Sequence, residues 1–291
     1  MRIGIQIPNF TYPGGPAELG AKLKEIVQTV DDAGFYSLWV MDHFFQIRSV
    51  GTPEMDMLEA YTTLGYFAAL TKKVKLGTMV TGVIYRYPGI LVKTVTTLDV
   101  LSGGRAYCGI GAAWNEDESK ALGIPFPPVK ERFERLEEAL QIALQMWEGN
   151  TAPINGKYHQ LAGPINSPQV LSKPHPPVLI GGMGEKKTLR LVAKYADACN
   201  FFWRMGKDTV AAKLEVLKKH CEELGRPYDE IEKTALSSVG AGEVPVKDII
   251  EDCRQAAELG ITHMIFNFAD VSSITPLTTF AREIIPAVAA I

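Results

Sequence analysis

Eight times along this chain a short β-rich apolar run is followed by a stretch with helical spacing, and that alternation limits the fold more than any single motif. The runs are IGIQIP (3–8), YSLWVM (36–41), VKLGTMV (74–80), AYCGIG (106–111), PVLIGG (177–182), ADACNFF (196–202), TALSSVG (234–240) and THMIFNF (262–268). Helical spacing covers 17–33, 57–71, 88–101, 129–148, 185–195, 207–224, 246–259 and 276–290. In the first helix Leu19, Leu23, Ile26, Val27 and Val30 recur three or four apart, and Gly34 stops it. Eight β–α units in 291 residues predict an α/β fold of the (β/α)8 TIM-barrel type. Strands two, five and eight are apolar on nearly both faces, as parallel strands under helices require. The competing doubly wound sheet carries G-x-G-x-x-G after its first strand; here Pro8-Asn9-Phe10 fills that turn.

Residues 149–177 break the rhythm, with six of the eighteen prolines between Pro153 and Pro177. The alternation resumes afterwards. The reading is therefore one barrel domain over 1–291, with an irregular insertion between strands four and five. At 46% hydrophobic the chain can fill such a core. A net charge of −3 with scattered basic residues gives no nucleic-acid face. No apolar run reaches the roughly 18 residues of a membrane span, and Met1 leads straight into IGIQIP, too short and polar for a signal peptide. Cys108, Cys199, Cys221 and Cys253 lie far apart without CxxC spacing, and the five histidines are dispersed. These features argue against a metal site and a disulfide framework, and fit a reducing cytoplasm.

A barrel carries its chemistry at the C-terminal ends of its strands. There WVMDHFF (39–45) places Asp42 and His43 at the end of strand two, shielded by Phe44 and Phe45. Histidine exchanges a proton near neutral pH, and a neighbouring carboxylate can tune it or hold a ligand hydroxyl; the alternative is a polar pair satisfied by backbone. GGMGEKK (181–187) opens the helix after strand five and suits a phosphate, although a plain glycine turn is also open. In GIGAAWNEDE (109–118) small residues admit a flat group and Asn115 can read its edge. Glu116 to Glu118 read as the acidic first turn of a helix, and Trp114 as pocket wall or core. Arg86 faces an anion or is held by a loop carbonyl; Arg105, at the opposite end, is structural.

Together these stretches resemble the bacterial-luciferase-like superfamily of flavin and deazaflavin enzymes. The resemblance runs through GIQIPNF (4–10), GFYSLWVMDHF (34–44), LGTMVTGVIYRYP (76–88), LDVLSGGRAYCGIGAAWNEDE (98–118), GIPFPPVKERFERLEEAL (123–140) and GGMGEKKTLRLVAKYADACN (181–200). IQIPNFTYPGG with WVMDHF and YADACNFF is similar to its coenzyme F420-dependent group. The resemblance implies a homodimer, with the coenzyme ring across the barrel mouth and its phosphate near the loop after strand five. It implies Asp42 and His43 as ring-contacting pair, with His43 the acid/base. Met79-Val80 falls where such enzymes have a cis peptide behind the ring, and Thr81 and Asn115 where they touch its polar edge. Gly181, Gly182, Met183 and Gly184 fall in the phosphate loop. In related sugar-phosphate dehydrogenases a glutamate precedes the asparagine; Trp114 stands here instead, against a glucose 6-phosphate role. The expected activity is hydride transfer between coenzyme F420 and a small organic substrate, in a pocket lined by Phe10, Phe44, Phe45 and Trp114 and built from the loop after strand four and the insertion. The alternatives are an FMN-dependent monooxygenase using reduced flavin and oxygen, and a ligand-binding barrel without turnover.

Overall fold

The computed structural model describes residues 1–240, 242 and 244–291. In chain order it has β1 (Arg2–Ile7), α1 (Gly15–Asp32), β2 (Ser37–Val40), α2 (Ala60–Leu70), β3 (Lys75–Thr78), β4 (Thr81–Gly82), α3 (Pro88–Ser102), β5 (Cys108–Gly111), α4 (Glu116–Ala121) and α5 (Val129–Trp147). A small antiparallel hairpin of β6 (Ile154–Asn155) and β7 (Gln160–Leu161) follows. The second half contains β8 (Val178–Gly181), α6 (Thr188–Tyr195), β9 (Ala198–Phe202), α7 (Lys207–Leu224), β10 (Glu232–Val239), α8 (Val246–Glu258), β11 (His263–Phe268), α9 (Thr275–Thr279) and α10 (Ile285–Val288).

Nine strands form one parallel sheet in the order β3-β2-β1-β11-β10-β9-β8-β5-β4. The ends meet where Leu76 N donates to Arg105 O and Tyr107 N donates to Leu76 O, both at 2.8 Å. The sheet is thus a nearly closed barrel. β3 and β4 are one barrel strand interrupted at Met79-Val80, whose peptide bond is cis. β3 therefore ends two residues short of the run expected over 74–80.

The sequence alternates across the barrel wall. Trp39, Met79, Tyr107, Leu179, Ala198 and Ile265 pack together as one buried cluster, with Val80 and Leu236 against it. A larger cluster unites strand residues such as Ile5, Leu38 and Phe266 with helix residues such as Ile26, Leu64 and Leu140. A barrel whose interior is packed in this way is a platform, not a pore. Arg105, in the turn after α3, seals the N-terminal end. It is buried, and its guanidinium donates to the carbonyls of Ala68, Thr71, Val74 and Ser102 and to Thr71 Oγ1 at 2.7–3.1 Å.

Three expected elements differ in outline. The helix expected at 185 begins at Thr188, after an open loop that leaves β8 at Gly182, whose φ of 111 suits glycine. The closing helix is broken into α9, a π turn over Phe280–Ile284, and α10. Pro286 in α10 has no N–H for the preceding turn's carbonyl, which widens the backbone there. The insertion contains the β6–β7 hairpin. Among the described residues no helix is long and apolar enough to cross a membrane.

Candidate active site

A cavity of about 320 Å³ opens at the C-terminal end of the barrel. Its floor is Met79, Val80 and Thr81, its walls come from the ends of β5, β8 and β9, and Phe133 and Leu136 of α5 cover it. Val80 is fitted between two strand ends. A Cβ on Gly181 would lie 2.8 Å from Val80 Cγ2, and one on Gly111 3.0 Å from the same atom, so these glycines make room for the Val80 side chain. Gly182, at φ 111, holds a backbone conformation that L side chains rarely adopt.

His43 lines this cavity and is 8% exposed. Its Nδ1 lies 2.9 Å from Glu118 Oε2. Glu118, 1% exposed, is the hub of the site. It also accepts from the Phe44 backbone N–H, from the Phe45 N–H at 2.9 Å, from the Tyr85 hydroxyl at 2.9 Å and from Asn115 Nδ2 at 3.3 Å. Burial pushes the Glu118 carboxyl up, but the hydrogen bonds from His43 and from the Phe45 and Phe44 N–H groups outweigh it and hold the carboxyl below its ordinary range. A carboxylate so placed can only accept. The proton on Nδ1 therefore points at Glu118, which leaves the Nε2 lone pair available when the ring is neutral. No group among the described residues hydrogen-bonds Nε2.

Asp42 takes a different partner from the one its position next to His43 suggests. It is buried and bound by both terminal nitrogens of Arg86, one of them 3.1 Å from Oδ1, and Arg86 also donates to Glu59. Arg86 is thus held by two carboxylates of the chain itself, not by a loop carbonyl. Thr81 lines the cavity, but its hydroxyl lies 2.8 Å from Tyr61 Oη and 3.0 Å from Thr78 Oγ1. Asn115 is the N-cap of α4.

The remaining expected positions divide. Gly181 and Gly182 line the cavity, whereas Met183 turns aside so that its sulfur accepts the Phe202 N–H at 3.2 Å. Gly184 packs over Thr188, itself a wall residue. Phe10, 1% exposed, belongs to the main core and does not line the cavity: the chain after β1 turns inward there. Phe44 packs edge-on against Tyr85, with ring centroids 5.3 Å apart. Trp114 is 63% exposed and stands edge-on to His43, centroids 5.5 Å apart. Trp114 and Phe45 both line a second, outer cavity of about 570 Å³. No residue of 149–177 lines either cavity; α5 supplies the cover expected of the insertion.

Sequence reasoning missed Glu118, Tyr85, Thr188 and the α5 residues. Glu118 was one of three consecutive acids, and nothing in the run marks which one turns inward. The only signal was its place three residues after Asn115, the spacing of a capping box.

Residues 1–266 match the luciferase-like monooxygenase family. A curated relative is the F420-dependent glucose-6-phosphate dehydrogenase of Kineococcus radiotolerans, 31% identical over 251 residues, or 83% of this chain and 70% of that one. Two further dehydrogenases of that name, from Nakamurella multipartita and Amycolatopsis mediterranei, are covered over 65% and 66% of their length, so the chain spans about two thirds of these relatives. Among solved structures, an F420-dependent secondary alcohol dehydrogenase in complex with an F420-acetone adduct superposes with a TM-score of 0.83 at 20% identity, covering 99% of this chain and 98% of that one. The coenzyme F420-dependent tetrahydromethanopterin reductase of Methanopyrus kandleri gives 0.78 at 17%, with 98% and 99% covered.

Proposed function

The chain belongs to the luciferase-like monooxygenase family, and on that premise we propose that it is an oxidoreductase dependent on coenzyme F420, with His43 as its acid/base. The observation that carries this reading is the His43–Glu118 pair at the cavity wall, with Nε2 open to the space where a substrate would stand. The relatives' names supply the coenzyme.

The residues present fit such a group. The cavity walls are almost wholly neutral: backbone and methyl surfaces at Val80, Gly111 and Ala112, polar side chains at Thr188 and Asn200, and a glycine loop whose backbone can approach an anion. Gly111 and Gly181 leave Val80 standing as an apolar floor. In this reading Val80, Gly181, Gly182 and Thr188 hold the coenzyme, and Met79, Thr81 and Asn200 flank it. When bound, coenzyme F420 accepts or donates a hydride.

The chain supplies what a hydride carrier lacks. An alcohol that gives up a hydride from carbon must also lose the proton of its hydroxyl to become a carbonyl. Neutral His43 takes that proton on Nε2, while Nδ1–H stays on Glu118. In the reverse direction the doubly protonated ring returns it to the carbonyl oxygen. Glu118 fixes the ring's orientation by accepting from Nδ1. Asp42 acts one step back, holding Arg86 and, through it, the loop that carries Tyr85. The outer faces of α2 and α3, which present Tyr66, Ile90 and Leu101 to solvent, are the surface we assign to a homodimer.

Titration with coenzyme F420 and, separately, with FMN tests the reading. A ligand at a hundred times its Kd stabilises the fold by about 2.7 kcal/mol, so the melting temperature rises with coenzyme F420 and stays level with FMN. A rise with FMN alone would favour the reduced-flavin, oxygen-using alternative and overturn this one.

A further inference from the structure

The outer cavity is separated from the inner one by Trp114, which lines both. We propose that this outer cavity is the substrate's binding subsite, that it selects an uncharged, ring-bearing alcohol or carbonyl compound, and that Trp114 determines that selection. The inference rests on the oxidoreductase reading for what happens next, but not for the binding itself.

Position is the first argument. The cavity is bordered by Phe45 and Ile47 on one side and by Trp114 and Asn115 on the other. These are the two rim segments that Glu118 joins through the Phe44 and Phe45 N–H groups and Asn115. His43 lines only the inner cavity, but its ring meets the indole edge-on at 5.5 Å, so a ring resting on Trp114 in the outer cavity meets the imidazole through a group that extends past the indole edge into the inner cavity.

Charge is the second. Among the described residues no lysine, arginine, aspartate or glutamate lines the inner cavity. The outer one has a single cation, Arg48, which lies 3.5 Å from the Asp117 carboxylate, and three acids, Glu116, Asp117 and Glu118. A phosphorylated substrate would meet more negative than positive charge and no unengaged cation. An uncharged ring instead meets Phe45, Ile47, Pro53 and the indole.

The backbone is the third. Ala113 has φ 61 and is the one non-glycine residue with positive φ among those described. That conformation is uncommon for a side chain bearing a Cβ. The next residue, Trp114, keeps its ring exposed. Exposed aromatic surface beside a concave site is what a ring-binding subsite needs.

Trp114 also supplies the readout. The chain has four tryptophans, and Trp39, Trp147 and Trp203 are 7% exposed or less while Trp114 is 63% exposed. Acrylamide quenching of tryptophan fluorescence therefore reports chiefly on the outer cavity. Cyclohexanol and glucose 6-phosphate serve as probes, with coenzyme F420 binding followed in parallel by melting temperature. The expected result is that cyclohexanol lowers the quenching slope and glucose 6-phosphate leaves it unchanged. In the holoenzyme, Trp114→Ala raises the KM for cyclohexanol about tenfold with kcat little altered, and Trp114→Phe restores most of the loss, because an aromatic contact is at stake. Protection by glucose 6-phosphate equal to or greater than that by cyclohexanol would overturn the inference, as would protection by neither while coenzyme F420 binds. Protection by cyclohexanol without any coenzyme F420 binding would support the subsite and sink the coenzyme reading instead.

Discussion

His43 and Glu118 divide one task between two residues. The imidazole meets the substrate, and the carboxylate decides which nitrogen does so. Replacing His43 with alanine is expected to lower turnover by about 100-fold or more while coenzyme affinity changes less, since proton transfer is lost and the glycine loop is not; stopped-flow turnover and a binding titration separate the two. Replacing Glu118 with glutamine keeps one oxygen for the Phe44 and Phe45 N–H groups but turns an amide NH2 toward His43 Nδ1 and Asn115 Nδ2, where it opposes the Asn115 NH2 and favours the wrong imidazole tautomer. The variant should lose about 1–3 kcal/mol of stability at neutral pH and at least roughly tenfold in turnover. The pH dependence has a definite sign. The folded state holds the Glu118 carboxyl below its unfolded value, so its contribution is complete above about pH 4.3 and disappears as pH falls through the folded pKa. The stability gap between wild type and Glu118→Gln, measured by urea unfolding, should therefore narrow with acid. A gap that widens with acid would contradict the bond pattern around Glu118. At this scale the sequence was half readable. Asp42-His43 stood out because an acid and an imidazole end an apolar strand. Their true partners, Arg86 and Glu118, lie 44 and 75 residues further on, and no local spacing joins them.

The elements themselves were legible wherever periodicity was long. α1, α3, α5 and α7 fall within two residues of their sequence-based bounds, because each combines a buried stripe with a firm start or stop. Pro88 opens α3, and Gly103 and Gly225 close α3 and α7 in the left-handed region. What escaped were the short pieces. α4 has six residues and is set by its Asn115 cap and by the contacts of Glu118, which no period reports. The role of α5 as cover over the cavity also escaped, because a helix that packs on one side and lines a site on another has the same apolar stripe as one that only packs. Arg105, in contrast, was recognisable as structural from its place in the turn before β5. Its guanidinium satisfies carbonyls at the end of α2, in the turn before β3 and at the end of α3. Arg105→Ala should cost about 3 kcal/mol or more by leaving several of them unpaired. Coenzyme affinity of the folded fraction should be unchanged, because this end of the barrel is remote from the rim.

For the whole molecule, the alternation of eight β–α units gave the barrel, and the strand ends gave the rim. The cover did not follow, since the insertion looked the more versatile segment yet stays off both cavities. The apolar outer faces of α2 and α3 bear on assembly. If they meet a second copy, light scattering gives about twice the 31.9 kDa of one chain. Glutamates at Ile90 and Leu101 should return the species to a single chain with its fold intact by circular dichroism, since both side chains are exposed. A single-chain mass for the unmodified protein would remove that assignment.

The bond between Glu118 and the 43–45 segment has a consequence for anyone who would redesign this protein. The stretch from 112 to 122 is the natural cassette to exchange for a new specificity, because it carries Trp114 and borders both chambers. That same cassette also carries the anchor of the imidazole across the rim. A graft that imports a foreign loop while omitting the acid at 118 would change what enters and, in the same stroke, unmoor the group that is meant to act on it.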